Sequence, residues 1–145
     1  MPSRTDEAKI VMLDRSTLSP GTVLRPPSFP HHLVAYDRTE RSAVAERIQD
    51  ADIVITNKVP ITGQAVAASP KLRLVAVAAT GTDIVDLKAC ASHDVVVSNI
   101  RGYAIHTVPE HTFALILALR RSILAYHHSV RSGRWMRCRA TCPSS

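Results

Sequence analysis

The segment ATGTD, residues 79–83, combines residue types that can hold a small anion. Gly81 has no β-carbon, so a ligand can approach the backbone closely there. If a helix begins directly after this glycine, with Thr82 or Asp83 as its N-cap, its first backbone N–H groups can bind a carboxylate. The alternative is a plain turn between a strand and a helix capped by Asp83, and the local residues alone favour this simpler interpretation.

A second polar segment, TNKV at residues 56–59, also follows an apolar run. In parallel sheets, ligands bind beyond the carboxyl ends of the strands, where the loops of neighbouring strands diverge. Both segments are therefore candidate ligand-binding loops if the runs before them are parallel strands.

Strands and helices alternate along the part of the chain that carries these two segments. The strands are rich in valine and isoleucine, which is typical of strands covered on both faces. This alternation predicts an α/β fold with a parallel sheet of about five strands and flanking helices. The predicted strands cover residues 9–13, 32–36, 53–56, 72–78 and 94–99. One predicted helix begins after its N-cap Thr39, and two others cover residues 64–68 and 83–92.

Residues 109–131 predict a long C-terminal helix, because these 23 residues contain no internal breaker. Pro109 and Glu110 both suit the first turn of a helix. The apolar residues of this segment lie on more than one helical face, so the helix needs burial on two sides. One side can face the sheet of its own domain, and the other needs a second domain or a partner chain.

The net charge of +6 comes entirely from the C-terminal end. Residues 1–110 contain twelve basic and twelve acidic residues and sum to zero, whereas residues 111–145 contain six arginines and no acid. Such a basic tail could bind polyanions through counterion release. It matches no nucleic-acid-binding module, so the sequence does not favour specific nucleic-acid binding.

The remaining composition indicates a cytoplasmic, soluble protein. No apolar run approaches the roughly 20 residues that a membrane span needs, and the first residues do not resemble a secretory signal. Three scattered cysteines do not predict a disulfide framework. A zinc site at Cys138 and Cys142, near His127 and His128, is a less favoured alternative to free thiols, because structural zinc usually has four ligands at recognised spacings. No metal site is therefore predicted.

Four segments in order resemble the N-terminal region of the D-isomer-specific 2-hydroxyacid dehydrogenases, and within them the glycerate dehydrogenase and hydroxypyruvate reductase group. The segments are ITNKVPIT, LRLVAVAATGTDIVDLKAC, VVVSNIRGYAIHTVPEHTFALILALRR and SVRSGRW. The resemblance extends over about residues 8–135. It implies an oxidoreductase that uses NAD or NADP and acts on a small 2-hydroxy or 2-keto acid.

The resemblance also implies a domain organisation and a set of site residues. Residues 1–104 would form a flavodoxin-like substrate lobe, residues 105–132 a long interdomain helix, and residues 133–145 a basic tail that the family lacks. The backbone amides of Thr80 and Gly81 match those that bind the substrate carboxylate, and the Thr80 side chain matches one near the nicotinamide. Thr107 matches a residue that contacts NAD. Asn57 and Lys58 match a loop at the substrate mouth, although Lys58 could equally be a solvated loop lysine.

The sequence departs from the family after residue 135. It contains no GxGxxG motif, and the family's catalytic arginine, glutamate and histidine have no counterparts in it. We do not assign the histidine's role to His106 or His111. These departures predict a truncated dehydrogenase that is inactive alone, has no catalytic residue of its own and binds no cofactor. Two alternatives are a non-catalytic interaction module that forms homo-oligomers through the long helix, and a polyanion binder that uses the basic tail.

Overall fold

The computed structural model describes residues 7–134 and 136, which fold into two compact units within Met1–Arg101 and Gly102–Ser145. The first unit alternates strands and helices, and the second contains helices α4 and α5. The strands are β1 (Ala8–Met12), β2 (His31–Ala35), β3 (Ile53–Thr56), β4 (Leu74–Val77) and β5 (Val96–Asn99). The helices are α1 (Val44–Ile48), α2 (Gly63–Ala67), α3 (Leu87–Ser92), α4 (Thr107–Arg120) and α5 (Ile123–Arg131).

The five strands form one parallel sheet with the order β2-β1-β3-β4-β5. This order is that of flavodoxin-like folds, in which the chain reverses direction across the sheet between β2 and β3. The prediction of an α/β fold with a five-stranded parallel sheet is confirmed. Some strand ends differ, since the fourth strand begins at Leu74 rather than at residue 72.

The main hydrophobic core lies on one face of the sheet. Val11, Val54 and Val75 occupy one row across β1, β3 and β4 and have no exposed surface. Helices α1, α2 and α3 bury apolar side chains in the same cluster, including Ile48 and Val66. Burying a valine or isoleucine side chain stabilises the fold by about 1.5–3 kcal/mol. The row therefore fixes the relative positions of the strands that precede the candidate loops.

The predicted N-cap role of Thr39 is wrong. A 3-10 turn at Arg41–Ala43 precedes α1, and its N-cap, Glu40, makes no side-chain capping bond. The Thr39 hydroxyl instead donates to the Leu13 carbonyl at 2.6 Å and accepts from Arg47 Nη1 at 2.6 Å. The Thr39 hydroxyl, which the sequence pattern assigns to a helix N-terminus, therefore binds Leu13 and Arg47 instead.

The segment predicted as one long helix is divided in the second unit. Helix α4 ends at Arg120, and α5 begins at Ile123 after Ser122, which has a left-handed conformation with φ of 50° and ψ of 37°. A left-handed residue stops the run of helical hydrogen bonds. Serine has a modest helix propensity but is no strong breaker, so the sequence pattern does not reveal the interruption. The predicted basic tail at residues 133–145 lies outside the described residues except for Gly133, Arg134 and Met136.

Candidate functional site

The two candidate loops leave neighbouring strands at the same edge of the sheet. Thr56 at the end of β3 pairs with Val77 at the end of β4, and the Ala78 N–H donates to the Thr56 carbonyl at 2.8 Å. Asn57 and Lys58 follow β3 directly, and Thr80 and Gly81 follow β4 after two more residues. The structure therefore places the four residues on adjacent loops at the carboxyl edge, where ligands of such sheets bind.

The loop after β3 is held by Asp14, which the sequence analysis missed. Asp14 lies just beyond β1, and only 3% of its surface is exposed. Both of its carboxylate oxygens accept from the Asn57 N–H at 3.0 Å, and Oδ2 also accepts from Lys58 N–H at 2.6 Å and Val59 N–H at 3.3 Å. Three consecutive amides around one carboxylate form an anion-binding concavity. The sequence carries only one sign of this role, an acid directly after a buried strand.

A second contact closes the same loop from inside. The buried Thr56 hydroxyl donates to the Val59 carbonyl at 2.8 Å. Asn57 is half-buried and the Lys58 side chain is exposed. The backbone of this loop is thus held at both ends, while the Lys58 ammonium reaches solvent at the carboxyl edge.

The loop after β4 has two consecutive N–H groups without an acceptor in the described part of the chain. The Ile100 N–H donates to the Ala79 carbonyl at 3.0 Å, and Asn99 Nδ2 donates to the Thr80 carbonyl at 2.6 Å. Across a trans peptide, the C=O and the following N–H point in opposite directions. The Thr80 N–H therefore points away from Ile100, and the Gly81 N–H points away from the Asn99 side-chain amide. Neither N–H has an acceptor among residues 7–134 and 136.

The expectation of a helix beginning directly after Gly81 is wrong. A turn closed by Val85 N–H and the Thr82 carbonyl follows the glycine, and α3 begins only at Leu87. Its N-cap is Asp86, whose side chain accepts from Ala89 N–H at 3.0 Å, so Thr82 and Asp83 do not cap it. The donors available to an anion therefore come from the strand end and not from a helix terminus.

Gly81 leaves room at this loop without needing a left-handed backbone. A β-carbon built on it would lie 2.7 Å from Asp83 Oδ1 and would meet no other heavy atom except the carbon of the same carboxyl group. Asp83 is exposed, so its carboxylate can rotate away from a small substituent. The glycine thus matters for close approach to the backbone rather than for its conformation.

Thr107, the other predicted cofactor contact, is the first residue of α4 in the second unit. Its hydroxyl makes no hydrogen bond to any residue in the described part of the chain. Contact of Thr107 with NAD stays a prediction, as does pairing of two copies through this region.

One cavity in the described part of the chain lies away from these loops. It has a volume of about 600 Å³ and opens at the amino edge of the sheet, where Ile53, Leu74 and Val96 line it. The carboxyl edge has a shallower cleft of about 470 Å³ beside the glycine loop, lined by Arg41, residues 60–63 and residues 83–86. A small acid needs little enclosed volume, so the positions of the donors decide more about its binding than the size of the cavity.

The remaining features concern metal ligands, membrane-spanning helices and cysteine. No cluster of potential metal ligands occurs among residues 7–134 and 136, and Cys138 and Cys142 lie outside that part. None of its helices combines the length and apolar character needed to cross a membrane. Cys90 is buried on α3, and burial together with the nearby Asp86 carboxylate raises the pKa of its thiol.

Comparison with known proteins gives a consistent result. Residues 22–136 match the profile of the D-isomer-specific 2-hydroxyacid dehydrogenases, catalytic domain. The chain is 44% identical over 135 residues to a glycerate dehydrogenase of Methylorubrum extorquens, covering 92% of this chain and 42% of that protein. It is 34% identical over 131 residues to a hydroxypyruvate reductase of Blautia hydrogenotrophica, covering 88% of this chain and 41% of that protein. The chain thus spans about two-fifths of the length of these relatives.

Solved structures show the same fold. A 2-hydroxyacid dehydrogenase from Ketogulonicigenium vulgare superposes with a TM-score of 0.66 at 22% identity, covering 96% of this chain and 43% of that one. An acyclic imino acid reductase in complex with NADPH and D-Arg superposes with a TM-score of 0.65 at 25% identity, covering 86% of this chain and 41% of that one.

Proposed function

The chain belongs to the D-isomer-specific 2-hydroxyacid dehydrogenase family, and we propose that its first unit is the substrate lobe of an NAD- or NADP-dependent oxidoreductase of the glycerate dehydrogenase and hydroxypyruvate reductase type. The substrate would be a small 2-hydroxy or 2-keto acid. The task of this lobe would be to hold the carboxylate of that acid at the carboxyl edge of the sheet.

One observation carries this proposal: the consecutive N–H groups of Thr80 and Gly81 have no acceptor in the described part of the chain, and each points away from the donor that binds the preceding carbonyl. A carboxylate has two oxygens, so it can accept from both donors at once. Each hydrogen bond to a charged group contributes about 1.5–3 kcal/mol. The exposed Lys58 ammonium would add at most about 1 kcal/mol, because solvent screens it.

These contributions give a modest affinity. Two charge-assisted bonds contribute about 3–6 kcal/mol in total, and the entropy lost on binding is subtracted from this sum, so we expect a dissociation constant of about 1 mM or weaker. Weak binding of this kind is what a single lobe can supply, because the contacts of a small acid are few.

The described residues do not fit the pyrophosphate of a dinucleotide. No GxGxxG segment occurs in the sequence, and the first turn of α3 is already capped by Asp86. The family resemblance assigns Thr80 and Thr107 to the nicotinamide end of the cofactor and supplies no residue of this sequence for its phosphates. We derive no step of hydride transfer from these residues, and we expect a polypeptide of these 145 residues to bind the acid without turning it over.

The test is a titration of the 145-residue polypeptide, labelled with ¹⁵N, with hydroxypyruvate across the millimolar range. The amide resonances of Thr80 and Gly81 should shift and saturate. Glycolaldehyde, which lacks the carboxylate, is the matched control and should leave them unchanged. If hydroxypyruvate moves neither resonance, or glycolaldehyde moves both equally, the carboxylate-binding role is wrong. Consumption of NADH by the same sample with hydroxypyruvate would separately refute the expected inactivity.

A further inference from the structure

Two consecutive carbonyl groups after β4 face the same neighbour. In a regular strand, successive carbonyls point alternately to the two sides of the strand. Here the Ala79 carbonyl and the Thr80 carbonyl both accept from the end of β5. Residues 78–80 form a bend after the end of β4, which lets both carbonyls face donors from Asn99 and Ile100.

The two carbonyls are held by different kinds of donor. The Ala79 carbonyl accepts from the backbone N–H of Ile100, a bond that any residue other than proline could make there. The Thr80 carbonyl accepts from the side chain of Asn99, at 2.6 Å. Asn99 is the last residue of β5 and pairs with Val77, so the sheet fixes the position from which its side chain reaches across.

We propose that Asn99 is a positioning residue for substrate binding. Its side-chain amide fixes the orientation of the peptide between Thr80 and Gly81, so that the Gly81 N–H points away from Asn99. Asn99 thereby completes a pair of donors for one carboxylate, although it does not touch the substrate itself. This inference rests on the proposed function, because it concerns the same two amides.

A purely structural role for Asn99 predicts a different result. Asn99 is half-buried and makes this one side-chain hydrogen bond at the surface of the sheet. If Asn99 only links the ends of two strands, its removal should lower thermal stability, and the direction of the Gly81 N–H should stay the same. As a positioning residue, it must change the direction of that bond and the affinity for the acid.

The experiment compares Asn99→Ala and Asn99→Leu with the wild-type 145-residue chain. The leucine variant keeps the size of the side chain while removing its donor, so it serves if the alanine variant unfolds. Ser98→Ala is the matched control, because Ser98 lies next to Asn99 on the same strand, is exposed and makes no side-chain hydrogen bond in the described part of the chain. Residual dipolar couplings report the direction of each backbone N–H, and titration with hydroxypyruvate reports affinity.

In both Asn99 variants, the coupling of the Gly81 N–H should change while those of Thr80 and the strands stay as in the wild type. Affinity for hydroxypyruvate should fall about tenfold, the equivalent of one charge-assisted hydrogen bond. Ser98→Ala should match the wild type in both measurements. An unchanged Gly81 coupling overturns the inference, as does unchanged affinity in variants of a wild type that binds.

The two proposals can fail separately. If the wild-type chain does not bind hydroxypyruvate, the proposed function fails. The dipolar couplings of the ligand-free variants still show whether Asn99 sets the direction of the Gly81 N–H.

Discussion

Replacing Asp14 with alanine should destabilise the first unit by about 3 kcal/mol and release the loop that carries Asn57 and Lys58. The carboxylate of Asp14 is the acceptor for three consecutive backbone N–H groups, and alanine would leave all three without it. The residues in contact are 43 to 45 positions apart in sequence, so no local structure would replace the lost bonds.

The magnitude follows from the burial of each donor. The Val59 N–H lies in a buried environment, and leaving such a donor unsatisfied costs about 1–3 kcal/mol. The donors of Asn57 and Lys58 are part-buried, so water can replace some of their lost bonds and about 1 kcal/mol each is expected. Relief from burying a carboxylate offsets part of the total. Asp14→Asn keeps one acceptor oxygen and should cost about half as much, 1–2 kcal/mol.

Urea unfolding followed by circular dichroism measures these differences through the shift in the transition midpoint. Asp50→Ala is the control, since the Asp50 side chain is 58% exposed and its pair with Lys71 spans 3.8 Å. An exposed pair of this kind contributes at most about 1 kcal/mol. Amide hydrogen exchange adds a local measurement, and residues 57–59 should lose protection in Asp14→Ala but keep it in Asp50→Ala.

The reasoning would be refuted if Asp14→Ala unfolded within about 0.5 kcal/mol of the wild type, the range of an ordinary surface substitution, and kept its protection at residues 57–59. The loop would then be held by the Thr56 hydroxyl and by packing, and the carboxylate would contribute nothing measurable.

Three further predictions concern single residues. Lys58→Met should weaken hydroxypyruvate binding roughly two- to fivefold at low salt and not at high salt, because an exposed charge is screened; equal loss at both salt concentrations in calorimetric titrations would contradict this. Gly81→Ala should change the free energy of unfolding by less than about 0.5 kcal/mol, since the exposed Asp83 carboxylate can move away, yet should weaken acid binding; Gly21→Ala, where a β-carbon meets nothing within 4 Å, should change neither. Because burial raises the pKa of the Cys90 thiol, the folded chain keeps this proton at pH values where the unfolded chain has lost it, so stability should fall as pH rises above the ordinary value of 9.0. Urea unfolding of the wild type and of Cys90→Ala should diverge in that direction above pH 9.0, and parallel curves would contradict the shift.

The fold could be predicted because its signals are local. Runs of valine and isoleucine separated by short helices indicate a parallel sheet, whatever the order of its strands. The observed sheet has five such strands. The errors also have a local cause. Thr39 and Asp83 each stand where an N-cap is common, but the Thr39 hydroxyl binds Leu13 and Arg47, and the α3 cap is Asp86. A pattern of residue types cannot show which of several acceptors a polar side chain reaches.

The sequence by itself determined that Gly81 and Lys58 follow strands of a parallel sheet, and its resemblance to a family singled out Thr80 and Gly81 as amide donors. Only the tertiary structure decided which groups hold these loops in place. Asp14 reaches the amides after β3 because the strand order sets β1 beside β3, and Asn99 reaches Thr80 because β5 lies beside β4. Both contacts join residues that are distant in the chain, and the direction of a hydrogen bond depends on strand neighbours and on side-chain rotamers that no local pattern of residue types specifies.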